Sequence, residues 1–290
     1  MKLLIKLELF ALLILTFAVI PAFAQANEAA KKRAEELLAQ AREAAGGEAK
    51  INAVKSLSLT GKFQRGITAN EVELDFLFPD KYIKREKINT PVGLATLVTA
   101  LDGENAWFNF VSPNEAVKFQ GFSQKDADEM KPASRADAAK WILALLLKTP
   151  SWSSMEFAYA GEGEADGKPA NLIDVTGTDG FRARLFLDKT TNRLTMMNYT
   201  GKLPKHKNST VTTDQEGNIS QSESGGASGS VAGLKSDEVR VSFADYRAID
   251  GIQIPHRVLF HSGEDIKEEW ELTKVQLDAT LAPENFKKKA

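Results

Sequence analysis

From Leu57 onward the chain alternates apolar and polar side chains. Leu57, Leu59 and Phe63 interleave with Ser58, Thr60 and Lys62, and Val72, Leu74, Phe76 and Phe78 interleave with Glu73 and Asp75, Leu77 being the exception. A period of two places one set on an apolar face and the other on a wet face, so these runs predict strands of a sheet buried on one side. Further strands are predicted at about 82–88, 93–101, 106–111, 155–161, 170–176, 181–187, 194–200, 238–249, 252–261 and 265–277. Asp-Gly pairs stand at Asp102-Gly103, Asp166-Gly167, Asp179-Gly180 and Asp250-Gly251. Both residues tolerate the positive φ of a tight hairpin turn, so the strands read as an antiparallel meander.

Three segments leave this pattern. Asn27 to Ala45 carries Ala30, Ala34, Leu37, Leu38 and Ala41 at helical spacing and ends at Gly46-Gly47, which predicts an amphipathic helix on the domain edge. A short helix over about Glu48–Val54 leads into the first strand. Ser134 to Lys148 predicts a helix opened by Ser134 and Asp137 in capping-box spacing. Ala138, Trp141, Ile142, Leu145 and Leu146 share one face, and Leu143 and Leu147 make the rest apolar too, so this helix is buried or covers an apolar surface. The stretch from Lys202 to Lys235 contains a Ser/Gly-rich tract, 220–230, that cannot bury enough surface to order itself; it predicts a flexible loop within the domain.

The N-terminus changes where this sheet is expected to work. Lys2 and Lys6 precede an apolar run from Leu9 to Ile20, and Pro21-Ala22-Phe23-Ala24 ends in a small-x-small pattern, the marks of a secretory signal peptide cut after Ala24. The run is short for a membrane anchor, so no stable membrane span is expected after cleavage. Residues 25–47 then form the N-terminal helix region and 48–290 a single β domain, placed in the periplasm or secreted. Cleavage takes a net +1 from the formal −2, leaving −3, which gives no electrostatic footprint for nucleic acid. The chain has no cysteine, which excludes disulfides, thiol catalysis and thiolate metal sites.

Chemistry-bearing motifs are few. His206, His256 and His261 have no metal-ligand spacing, and no serine sits in a Gly-x-Ser-x-Gly elbow. Gly163 to Lys168 looks like half of a phosphate loop, but Pro169 stands where Ser or Thr binds magnesium, so that reading is rejected. No metal, cofactor or catalytic residue is expected.

Several stretches carry a family resemblance: Phe78-Pro79-Asp80-Lys81-Tyr82, Leu101 to Phe108, Asp245-Tyr246-Arg247 with Asp250 to Arg257, and Leu281-Ala282-Pro283-Glu284-Asn285-Phe286. In this order, over Gly46 to Phe286, they resemble the periplasmic outer-membrane lipoprotein-sorting (LolA-like) superfamily. The resemblance implies an α+β, mainly β fold: an unclosed antiparallel β-barrel of about eleven strands, a half-barrel curved round an apolar cavity, with covering helices. It implies a non-catalytic protein that binds lipids or lipoprotein acyl chains, the helix at 134–148 serving as a lid. Compared with the carrier, the chain is longer, with an N-terminal helix and a Ser/Gly loop, and no position matches the carrier's functional arginine.

The expected cavity and lid residues are Leu74, Phe76, Trp107, Phe110, Trp141, Leu145, Leu185 and Trp270. The expected partner is a lipid or acylated lipoprotein. The rival expectation is an envelope sensor or scaffold of the same fold that binds a protein.

Overall fold

The computed structural model describes residues 27–65, 68–90, 93–112, 123–200, 207–213, 219–227, 238–262 and 265–288. The expected signal peptide lies outside them. Helix α1 spans 27–44 and α2 spans Glu48–Ala53. Five strands follow: β1 (Ser56–Arg65), β2 (Thr68–Leu77), β3 (Lys81–Thr90), β4 (Gly93–Asp102) and β5 (Asn105–Val111). Helix α3 (Gln124–Leu146) separates them from β6 (Glu156–Ala165), β7 (Lys168–Thr176), β8 (Arg182–Asp188) and β9 (Leu194–Thr200). After β10 (Lys207–Thr213) and β11 (Ile219–Ala227), the chain ends in β12 (Glu238–Ile249), β13 (Ile252–Ser262), β14 (Asp265–Leu277) and a 3-10 turn, Pro283–Phe286.

Among the described residues twelve strands, one more than the resemblance implies, make a single antiparallel sheet in the order β5-β4-β3-β2-β1-β14-β13-β12-β9-β8-β7-β6. The outermost strands, β5 and β6, do not pair, so the barrel is unclosed. Two Asp-Gly pairs form turns with both residues at positive φ, Asp166 (49°) with Gly167 (75°) and Asp250 (50°) with Gly251 (82°). The first of these, the rejected phosphate loop, is the β6–β7 hairpin. At Asp102-Gly103 the loop is displaced by one residue, since Asp102 already pairs with Asn105 and only Gly103 has positive φ. Asp179-Gly180 belongs to a 3-10 turn, Thr178–Gly180.

Alternation gives the sheet two different faces. Leu57, Leu59, Phe63, Val72, Leu74, Phe76, Ile173, Leu185, Met197, Val241, Val258 and Trp270 point to one side, where they meet α1 and α3 in the main core. On the other side a smaller cluster of Ile83, Val98, Ala100 and Phe286 is joined by Leu77, Trp107 and Leu281. The exceptional Leu77 is thus apolar because the C-terminal turn covers it from outside.

Two expectations are corrected. Helix α3 begins ten residues before Ser134. Its cap is Ser123, whose hydroxyl accepts from the Asp126 N–H at 3.2 Å while the Asp126 carboxylate accepts from the Ser123 N–H at 2.9 Å. Ser123 and Asp126 have the same spacing as Ser134 and Asp137, but Ser134 lies inside the helix and its hydroxyl donates to the Met130 carbonyl. The helix runs through Pro132, which a sequence rule takes as a stop. In the stretch expected to be a flexible loop, β10 and β11 pair with each other and not with the large sheet. Backbone pairing needs no apolar face, and the Thr-rich Lys207–Thr213 has the β-branched content that suits a strand. The rest of that loop lies outside the described residues.

Candidate functional site

Helix α3 lies along the inner face of the sheet. From Ala138 to Leu147 every residue is buried. Trp141 sits 4.9 Å from Trp270 and 6.2 Å, edge-on, from Phe260, while Trp270 stacks on Phe63 at 5.0 Å. Helix α1 packs into the same core and meets α3 near its C-terminal end. The Arg42 guanidinium donates to the Leu147 carbonyl at the C-terminal cap of α3, at 3.2 Å. Behind this joint Gly46 crosses so close to β13 that a Cβ there would lie 2.2 Å from the Gly251 carbonyl oxygen.

Within this apolar layer lies an ionic cluster. The Asp137 carboxylate of α3 is held by both partners of the layer. Its Oδ2 accepts from the Tyr82 hydroxyl at 2.7 Å and pairs with Lys84 Nζ at 3.1 Å, both from β3, and its Oδ1 pairs with Lys140 Nζ of its own helix at 2.7 Å. Lys84 also approaches Glu86 at 3.7 Å. The Lys140 ammonium stands 5.0 Å from the Phe260 ring centre, 5.1 Å from Trp141 and 5.2 Å from Tyr199, so three aromatic faces surround it. Glu268, buried on β14, accepts a hydrogen bond from the Trp270 indole N–H.

These distances show how the sheet is shaped. Tyr82 and Lys84 are on β3 and Tyr199 is on β9, six strand steps away in the sheet order. At the ordinary strand spacing, six steps across a flat sheet are about 29 Å. Two adjacent side chains of α3 nevertheless reach both strands. The sheet is therefore curled, its two arms face each other, and α3 joins them.

The cluster also sets protonation. Burial alone would raise the Asp137 carboxyl, but Lys140, Lys84 and the Tyr82 hydrogen bond hold it well below the usual carboxylate range. For Lys84 burial works downward, yet Asp137 and Glu86 beside it raise its value. Lys140 is raised in the same way by Asp137. The Tyr82 phenol is pushed well up, by burial first and by the Asp137 charge second. Asp137, Lys84 and Lys140 are all charged at neutral pH, and together they form a paired set.

Of the eight residues expected at the site, Leu74, Phe76, Trp141, Leu145, Leu185 and Trp270 belong to the one inner cluster. Phe110, half-buried, shares the strand parity of Ala106, an inner-face residue. Trp107 does not join them. It lies on the outer face, where its indole N–H donates to the Phe286 carbonyl at 2.6 Å. Trp107 and Phe110 are three residues apart in one strand and so face opposite ways, a conflict already present in the alternation. Lys84, Glu86, Asp137, Lys140 and Glu268 were missed. The available signal was a pair of charges, Lys84 and Glu86, at the inward parity set by Tyr82.

Elsewhere, an open concavity of about 440 Å³ is lined by residues 174–176 of β7, 182–184 of β8 and 198–200 of β9. Among the described residues no group of three or more His, Asp or Glu is arranged to hold a metal ion, and no helix is long and apolar enough to cross a membrane.

No protein-family model matches the chain, and no curated protein matches it in sequence. Solved structures resemble it in fold. An outer membrane lipoprotein-sorting protein domain from Vibrio parahaemolyticus aligns over 87% of this chain and 97% of its own, at 12% identity and a TM-score of 0.45. A DUF1329 family protein from Desulfovibrio piger covers 88% and 97%, at 11% identity and 0.43. A LolA superfamily protein from Nitrosomonas europaea covers 88% and 97%, at 10% identity and 0.45. The chain's own fold is an open antiparallel half-barrel with covering helices.

Proposed function

We propose that this protein binds and carries lipid or lipoprotein acyl chains between α3 and the inner face of the sheet, without catalysis, in the periplasm after signal cleavage. The observation that carries this reading is the way the layer is built. Two facing arms of a curled sheet present apolar side chains from β1, β2, β8, β12, β13 and β14, and α3, with α1 in the same core, fills the space between them. Exchange of α3 for an acyl chain leaves the wall's apolar surface covered. Each methylene removed from water contributes about 0.8 kcal/mol, so a palmitoyl-sized chain gains roughly 10 kcal/mol before ordering costs.

The test is lipid extraction from the protein purified from its native envelope, followed by mass spectrometry, together with uptake of a fluorescent fatty acid. Co-extracted acyl species and saturable uptake are expected. Failure of both, with a partner protein co-purifying instead, replaces carriage by the sensor or scaffold role.

A further inference from the structure

We infer that the Asp137–Lys140 pair of α3 occupies a headgroup site on the sheet, and that the amphiphile this site takes is zwitterionic, with an anion joined to an ammonium a few bonds away. The inference rests on the acyl-carriage reading and names the head of the ligand whose chains that reading places under α3.

The sheet supplies two subsites that face each other across the fold. The first is made by β3. The Tyr82 hydroxyl and Lys84 ammonium converge on one carboxylate oxygen, at 2.7 and 3.1 Å, and Tyr82 is fully buried. A hydroxyl donor and an ammonium aimed at one point make an anion site. The second is made by Tyr199 of β9 and Phe260 of β13, whose rings lie 5.2 and 5.0 Å from the Lys140 ammonium. Rings around a desolvated cation make an ammonium site, and quaternary ammonium groups suit such rings as well as lysine does. Both ring residues are buried.

The helix fills both subsites at once, with a carboxylate and an ammonium 2.7 Å apart. In its charges that pair is an internal zwitterion. When α3 lifts, β3 loses the Asp137 carboxylate that Tyr82 and Lys84 hold at 2.7 and 3.1 Å and the ring site its cation, while Lys84 keeps the longer contact to Glu86 at 3.7 Å and the attraction of Glu268 on β14. An anionic head restores the first subsite and leaves the rings empty. A cationic head does the reverse, and a neutral sugar head restores neither charge. Only a head carrying both charges replaces what the helix removes.

The docked helix is also imperfectly satisfied, as a cover that exchanges with a ligand should be. The Trp141 side chain is 1% exposed, and among the described residues its indole N–H has no hydrogen-bond partner. Lifting α3 hydrates that donor, which favours the exchanged state.

The test titrates the full mature chain with four dodecyl amphiphiles below their micelle concentrations, read by intrinsic tryptophan fluorescence. The probes are dodecylphosphocholine, dodecyl phosphate, dodecyltrimethylammonium and dodecyl maltoside. Dodecylphosphocholine is expected to bind at least tenfold more tightly than the other three. Equal binding of all four overturns the headgroup site and leaves acyl carriage standing, whereas binding of none overturns carriage itself. Variants on the two sides of the cluster then move in opposite directions. Y82F with K84M removes the sheet's anion donors, and the preference for the zwitterion should fall to within about twofold of the maltoside. D137N with K140M removes the internal competitor, and dodecylphosphocholine affinity should rise at least threefold. A fall in both variants overturns the assignment. The wild-type comparison requires no variant to fold.

Discussion

Two acid–base groups of nearly the same geometry stand on opposite faces of this sheet. Inside, Asp137 contacts Lys140 at 2.7 Å and Lys84 at 3.1 Å; outside, Asp174 takes Arg184 in a two-pronged grip at 2.6 and 2.9 Å. By distance alone the outer pair is the better one. The environments differ, because Lys140 is 8% and Asp137 22% exposed, whereas Asp174 and Arg184 are each 45% exposed. Water and salt screen the outer pair, and holding two long side chains in place offsets most of its attraction. The inner charges lack that screening, and losing one partner leaves the others in an apolar layer. Position in the fold, more than the contact itself, therefore decides what an ion pair contributes.

The largest effect should come from breaking the inner group at its centre. Asp137→Ala strands Lys84, Lys140 and the Tyr82 hydroxyl, and should destabilise the protein by about 4 kcal/mol in urea unfolding. A loss below about 1 kcal/mol would mean that the cluster is as well solvated as the outer pair.

Acid should dismantle the same group in the native chain. The Asp137 carboxyl is held below its unfolded value, so its contribution is complete above the ordinary aspartate range, about pH 4, and disappears as pH falls through the folded value. Lys84 and Lys140 are raised, so their contributions are present below about pH 10.4 and fade only as pH climbs past their folded values. Unfolding midpoints measured from pH 2 to 6 should therefore drop for the wild type more steeply than for Asp137→Asn. Parallel curves would remove Asp137 from the account.

A third change separates the ionic contacts from the backing of the helix. Gly46→Ala puts a methyl group against the Gly251 carbonyl at a backbone φ of 127°, and should cost about 2 kcal/mol. Because Gly46 follows α1 and meets the β12–β13 turn, not the ionic cluster, the acid profile should keep its shape while the whole curve moves down. The smallest effect belongs to the outer pair: Arg184→Ala should change stability by about 0.5 kcal/mol, and that difference should vanish in 1 M salt.

The strands were legible because a sheet with one buried face writes its period into the chain. Leu57, Leu59 and Phe63 needed no tertiary knowledge, and the Asp250-Gly251 hairpin followed from the φ values those residues tolerate. The start of α3 was misread because the chain offers the same Ser-x-x-Asp signal twice, and local chemistry does not choose between Ser123 and Ser134. Taking Asp137 for a capping residue hid its place at the centre of the cluster. Trp107, aromatic but at outward parity in β5, lies on the outer face against the C-terminal turn and not at the expected inner site.

Sequence alone was enough for the alternation, the antiparallel meander, the apolar helix inserted in its middle and the absence of cysteine chemistry. Each of these depends on neighbours within a few residues. Only the tertiary structure decided that β1 pairs with β14, that the sheet curls until β3 and β9 face each other, and that Tyr82, Lys84, Asp137, Lys140, Tyr199 and Phe260 meet in one place. Those residues lie as much as 178 positions apart, from Tyr82 to Phe260. Their meeting depends on twist accumulated over many strands, which no local pattern contains.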